Sequence, residues 1–202
     1  MTPIEILKGK VKIRLSEKRF LHTVSVAKCA LKLADFCEKE SKNEAEAASL
    51  LHDITKEYAL EKQLEILSSH KISVDNEDIA SVGILHSFTA PVVIMSDFPD
   101  FATERILSAV RNHTIGSPDM TVFDEIIFLA DFIEDTRTYD ASVSIRRFVF
   151  ENMKHEDAVG NVKILHKACI MAIDATLINL INNNKPINSK NILTRNALLS
   201  KI

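Results

Sequence analysis

A chain of 202 residues is long enough to bury one good hydrophobic core, and a 46% hydrophobic, 26% charged composition is ordinary for a globular domain. Four glycines and five prolines disfavour β-sandwiches and glycine-rich nucleotide-binding folds, so an all-α domain is expected. The net charge of −3, from 25 basic and 28 acidic side chains, offers no basic block to hold a nucleic-acid backbone.

A small phosphorylated substrate is compatible with that charge, since it needs only a local cluster of cations or metal ions. The N-terminal MTPIEILKGKVKIRL has no signal-peptide core, and a cytoplasmic protein is expected. A short helix is predicted over residues 3–13. The first strong helix runs from Ser16, which caps it, to Cys37. Phe20, Val24, Ala27, Leu31 and Ala34 form one apolar stripe, and His22, Val26, Cys29 and Leu33 a second ridge that faces other helices.

Ser41 and Glu44 read as a capping box for a helix that ends near His52–Asp53. A short helix over 57–68 follows, then the polar SSHKISVDN. Asp75 and Asp78 start another helix whose ridge is Ile79, Val82 and His86. The stretch HSFTAPVVIMSDFPDF is expected to be irregular, because Pro91 and Pro99 interrupt backbone donors. Asp100–Asn112 reads as helix, with Ile106, Ala109, Val110 and His113 on one side.

Ser117–Pro118 is expected to open a further helix through Asp135, in which Ile127 and Phe128 place Asp131 beside apolar neighbours. Helices near 141–153 and 156–180 complete a folded unit over about residues 14–180. INNNKPINSK reads as a linker, before a small terminal helix or frayed end at 191–202. The apolar CIMAIDATLINLI is too short for a membrane span and is interrupted by Asp174. Cys29, Cys37 and Cys169 form no CxxC pair and read as reduced core cysteines.

A histidine and an aspartate side by side in the apolar run ASLLHDI are costly unless something uses them. His22, His86, His113 and Asp131 occupy comparable positions on other helices. One or two ligands from each of several helices is how a bundle builds a metal centre. Imidazoles with carboxylates suit iron, manganese, zinc or related divalent ions. One aspartate can bridge two ions, which groups His22, His52, Asp53 and Asp131 about the first and Asp53, His86 and His113 about the second.

Hydrolysis of a phosphoester by metal-activated hydroxide follows from such a centre. Lys56 is a candidate phosphate clamp or leaving-group stabiliser, against the alternative of a surface lysine. Arg137 is a candidate bidentate phosphate donor, against a helix-terminal salt bridge to Glu134 or Asp135. Thr114 either donates its hydroxyl to substrate or caps a turn. His70 and His155 read as exposed, and His166 as a core or interhelix hydrogen-bond partner, against the alternative that it extends the cavity.

The ordered stretches KRFLHTVSVAKCALKLA, ASLLHDITKEYA, GILHSFTAP, ILSAVRNHTIG and IIFLADFIEDTR resemble the HD-domain phosphohydrolase superfamily, and within it the bacterial YqeK family. The resemblance implies an all-α HD-domain helical bundle over 16–180, between an N-terminal segment 1–15 and a polar linker and tail 181–202. It also implies symmetrical cleavage of diadenosine tetraphosphate to two ADP at a di-iron centre, with manganese, cobalt, magnesium or zinc able to replace iron in isolated protein.

By motif, His22, His52, Asp53, His86, His113 and Asp131 inherit the ligand assignments, and Lys56 and Arg137 the positions near phosphate. Asp53, Lys56 and Arg137 are the expected catalytic residues, with Thr114 a further phosphate contact. GILHSFTAP and Asp135 depart from the family pattern without removing a ligand. The expected partner is a nucleotide, with no nucleic acid or membrane, and a homodimer is compatible with the family. Two alternatives remain open at this point: an HD enzyme acting on nucleoside monophosphates or another phosphoester, and a non-catalytic nucleotide sensor or interaction protein.

Overall fold

Eleven α-helices joined by turns and three short 3-10 segments carry all the regular structure of the computed structural model, which describes residues 1–202 and has no β-strand. The all-α expectation is met. Helix α1 (Pro3–Arg14) starts on a Thr2–Glu5 capping box. Helix α2 (Glu17–Cys37) is capped by Ser16, whose hydroxyl accepts from the Arg19 amide at 3.3 Å. Its ridge of Val26, Cys29, Ala30 and Leu33 is buried against α3 (Lys42–Leu51) and α8 (Val122–Ile133). These three helices hold the centre of the core. Around them stand α4 (Leu60–Ser69), α5 (Asn76–Ala80), α6 (Leu85–Asp97), α7 (Glu104–Asn112), α9 (Asp140–Asn152), α10 (Ala158–Asn182) and α11 (Ser189–Leu199).

Several local expectations give way to tertiary contacts. The Ser41–Glu44 capping box is absent: the Ser41 hydroxyl donates to the Glu38 carbonyl at 2.7 Å, and Glu44 pairs with Arg105 at 3.1 Å. The stretch around Pro91 is continuous helix, not irregular. Proline in a helix costs about 3 kcal/mol. Burial of Phe88, Ala90, Val92, Val93 and Ile94 on that same helix offsets it. Pro99 opens a 3-10 turn at Pro99–Phe101, so α7 begins only at Glu104, on a Thr103 cap.

The predicted helix at Ser117–Pro118 likewise begins later, at Val122, because Thr121 and Asp124 form the capping box there. The ridge Ile79–Val82–His86 is broken at Ser81; Ile79 and Val82 are exposed and only His86 turns inward.

Helix α10 is, by length and composition, able to cross a membrane. Here it is a core helix: Leu165, Ala168, Cys169, Ala172 and Ile173 are fully buried against α2, α8 and α9. His166 makes the expected interhelix bond, Nδ1 to Glu125 Oε2 at 2.6 Å. The three cysteines are free thiols, two of them buried. Residues 189–199 form helix α11, which lies along α10, with Arg195 paired to Asp174.

Candidate metal centre

The six histidines and aspartates singled out in the sequence come from five places in the chain and meet at one point. Helix α2 presents His22, and α8 presents Asp131. Helix α3 ends at Leu51, so His52 stands at its C-cap and Asp53 in the turn beyond. His86 lies in the first turn of α6, and His113 at the C-cap of α7. Three overlapping groups have all their donor atoms within 4.8 Å of one another: His22–His52–Asp53, His52–His113–Asp131 and Asp53–His86–His113.

Asp53 is central because its two oxygens face different partners. Oδ1 lies 3.1 Å from His86 Nε2 and 3.8 Å from His113 Nε2. Oδ2 lies 3.4 Å from His52 Nε2 and 3.7 Å from His22 Nε2. Asp131 Oδ1 closes the second side, 3.0 Å from His22 Nε2. This is the division of ligands that a bridging carboxylate would produce.

The donor set fits divalent ions on an independent observation. His52 Nε2 is buried and has no hydrogen-bond partner, a costly state in a finished core, and His22 Nε2 is buried with only carboxylates, Asp131 at 3.0 Å and Asp53 at 3.7 Å, facing it. The opposite ring nitrogens are spoken for. His52 Nδ1 and His113 Nδ1 each donate at 2.6 Å to a carbonyl three residues earlier, Ser49 O and Val110 O. His22 Nδ1 faces Glu134 Oε1 at 3.2 Å. These bonds leave each Nε2 aimed inward, the nitrogen a metal would take. His86 Nε2 and His113 Nε2 face each other at 3.0 Å, so each imidazole crowds the other.

The electrostatics agree. Burial pushes the His86 imidazole down to about 3, with His113 and Lys56 adding to the effect. Burial lowers His113 too. Both rings are therefore neutral at neutral pH. Burial opposes the charge on Asp53, but His52, His113 and His86 outweigh it and hold the carboxyl well below its usual range. Burial also opposes the proton on His22, yet Asp131 and Glu134 lift that ring to about 9. A cation in the site competes for the same lone pair.

Lys56 reaches the centre by a turn rather than by a continued helix. Its ammonium donates to Gly83 O at 2.8 Å and lies 3.2 Å from His86 Nδ1. Arg137 Nη2 pairs with Asp131 Oδ1 at 3.0 Å, while its Nε is 3.7 Å from Glu134, so the helix-terminal pairing with Glu134 is present and Asp131 is an additional partner. Thr114 stands beside His113, its hydroxyl buried and unpartnered.

Residues overlooked in the sequence complete the surroundings. Arg19, one turn before His22, donates from Nη1 to Asp53 Oδ2 at 2.7 Å. Glu134 is fully buried and also accepts from the Thr136 amide at 2.6 Å. Arg146 on α9 donates to the carbonyls of Ile133, Glu134 and Arg137, fixing the turn that carries Glu134 and Arg137. Beside His22 opens a cavity of about 500 Å³ with no hydrophobic lining residue; Lys18, Arg19 and Arg137 supply its cations. The serine-capped start of α2 gives the only sequence hint of Arg19.

An all-helical bundle with this histidine–aspartate order is the arrangement of HD-domain hydrolases, and the HD domain family matches residues 19–135. A symmetrical bis(5'-nucleosyl)-tetraphosphatase of Bacillus subtilis is 30% identical over 190 residues, covering 94% of each chain. Its namesake in Staphylococcus aureus is 29% identical over 87% of this chain and 89% of its own. A crystal structure from Clostridium acetobutylicum, described as a predicted HD superfamily hydrolase involved in NAD metabolism, superposes over 100% of both chains with a TM-score of 0.85 at 26% identity. The chain belongs to the HD-domain superfamily and, within it, to the YqeK family. Its site is that of an HD-type metal-dependent hydrolase.

Proposed function

We propose that this protein hydrolyses diadenosine tetraphosphate and related dinucleoside polyphosphates symmetrically, releasing two ADP. The observation that carries the reading is the orientation of Asp53, with one oxygen toward His86 and His113 and the other toward His22 and His52; His22 itself lines a polar cavity that also holds Lys18, Arg19 and Arg137. The relatives named for that activity support it over nearly the whole chain.

Two divalent ions would be held by His22, His52, Asp53 and Asp131 on one side, and by Asp53, His86 and His113 on the other. Such ions acidify water and offset charge on phosphoryl oxygens. Imidazole and carboxylate donors suit iron, the native metal in this proposal, and also manganese, cobalt and zinc.

The chain's own residues bind and orient the substrate. Arg19 and Arg137, now paired with Asp53 and Asp131, are free to turn their guanidinium forks to phosphate once cations neutralise those carboxylates. Lys56, its ammonium disfavoured by burial, would stabilise the ADP leaving group, and the Thr114 hydroxyl, unpartnered in this structure, would donate to a phosphate oxygen. A cytoplasmic location and a homodimer are compatible with this function.

The test is anaerobic protein restored with iron, given diadenosine tetraphosphate and followed by chromatography. ADP as sole nucleotide product is expected. ATP with AMP, or no turnover with any divalent metal, would overturn the proposal. Orthophosphate released from a nucleoside monophosphate in preference would move the assignment to a mononucleotide phosphohydrolase.

A further inference from the structure

Helix α11 lies beyond the residues that the HD family matches, yet it is tied by polar bonds to two connections that flank the site. Asp78, on the five-residue helix α5, is almost fully buried and belongs to no part of the metal centre. Its Oδ1 accepts from Asn188 Nδ2 at 2.9 Å and from Lys190 Nζ at 2.8 Å; its Oδ2 accepts from Lys190 Nζ at 2.6 Å. The same ammonium reaches Asp75 at 2.9 Å, and the Ser189 amide donates to Glu77 at 2.8 Å. One end of α11 thus grips α5 by three acidic residues.

What α5 carries explains why this grip matters. The chain runs from α5 directly into Gly83, whose carbonyl holds the Lys56 ammonium beside His86. About one turn along, α11 meets a second connection. Thr194 Oγ1 donates to Lys190 O within its own helix at 2.8 Å and lies 3.3 Å from Ile115 O, and its side chain covers Gly116, which has a positive φ of 70°. A Cβ at Gly116 would meet Thr194 Cγ2 at 2.5 Å, so glycine is required there twice over. That turn follows His113 and presents Thr114, whose hydroxyl is buried without a partner. A cavity of about 360 Å³ opens between these walls, bordered by Gly83, Thr114, Asn188 and Asn191.

We propose that Lys190 is a positioning residue: docked on Asp78, it anchors α11 so that residues 76–84 and 113–116 stand at a fixed separation, with Lys56 and Thr114 aimed at the substrate phosphates. The role rests on the hydrolase reading of the metal centre. Lys190 touches no reacting atom and acts through Asp78, Gly83 and Lys56.

The test compares Lys190→Met, Lys190→Arg and wild type in the full-length, metal-loaded protein. Amide hydrogen exchange is the readout that does not depend on catalysis. In Lys190→Met, residues 76–84 and 113–117 exchange about tenfold faster or more, while α2 and α3 keep their protection. Metal content stays at the wild-type value. KM for diadenosine tetraphosphate rises about tenfold with a smaller change in kcat, and Lys190→Arg restores both.

Uniformly faster exchange across the molecule, or unchanged KM despite loosened segments, would overturn the proposal and leave Lys190 a stabilising residue only. If wild type fails to split the dinucleotide, the hydrolase reading fails by itself. Local exchange confined to 76–84 and 113–117 would then still support the anchoring role, and its absence would refute it.

Discussion

Replacing Glu134 with glutamine isolates the part of the metal centre that no ligand assignment covers. Glu134 touches no proposed ion site; it faces the far nitrogen of His22 at 3.2 Å and is itself fully buried. Burial acts against the His22 proton, and Asp131 and then Glu134 overcome it to raise the ring to about 9. From an ordinary value of 6.5, that rise corresponds to roughly 3 kcal/mol favouring a positive charge on the ring. The same field favours a cation bound at Nε2.

Glutamine keeps the volume, and its carbonyl oxygen can still accept from Nδ1, so orientation survives while the charge goes. Loss of such an outer partner typically costs 10- to 100-fold in metal affinity, about 1.4 to 2.8 kcal/mol. Calorimetric titration of metal-free protein with Mn²⁺ or anaerobic Fe²⁺ measures this directly, and two buffers of different ionisation enthalpy count the protons released. At pH 7.5 wild type releases about one proton from His22, and the variant, which keeps Asp131 and Asp53 beside the ring, releases measurably fewer. Equal affinities with equal proton release would refute the role assigned to Glu134.

Three further outcomes follow from the same geometry. Asp53→Asn removes the carboxylate shared by both groups, so metal content falls below one per chain while circular dichroism stays helical. Turnover falls by about three orders of magnitude, as loss of about 4 kcal/mol of charge stabilisation requires. In the metal-free protein His22 holds its proton up to about pH 9. Metal uptake must displace it, so affinity rises about tenfold per pH unit through neutrality and levels off above that pH; a flat profile contradicts the assignment. Arg146→Lys replaces a fork with a point charge and strips donors from the carbonyls of residues 133, 134 and 137. A cost of about 1–3 kcal/mol, seen as a melting shift of roughly 2–12 °C, and weaker metal binding are expected.

The histidines and aspartates of the candidate centre were legible in the chain as a set: one on an apolar ridge can be a satisfied core residue, as His166 is against Glu125, but six in that order point to one site. The residues that orient them were not. Glu134 meets His22 across 112 positions of sequence, and nothing local distinguishes it from an exposed glutamate at a helix end. Arg19 reads as a surface residue one turn before His22 until the fold brings Asp53 to it.

Helix boundaries failed where local chemistry was outvoted. Pro91 argued for a break, but five buried neighbours hold the helix through it. Ser41 and Glu44 had the spacing of a cap, but Arg105 on α7 takes the glutamate. The α11 contacts were invisible for the same reason as Glu134: Lys190 and Asp78 are 112 residues apart.

The central claim is that Asp53 divides its oxygens between two ions. Anomalous diffraction from crystals of the metal-loaded protein tests it most directly. Two peaks are expected, one among His22, His52 and Asp131 and one between His86 and His113, each in contact with a different oxygen of Asp53. A single peak at full metal loading, or a second ion that makes no contact with Asp53, would contradict the account.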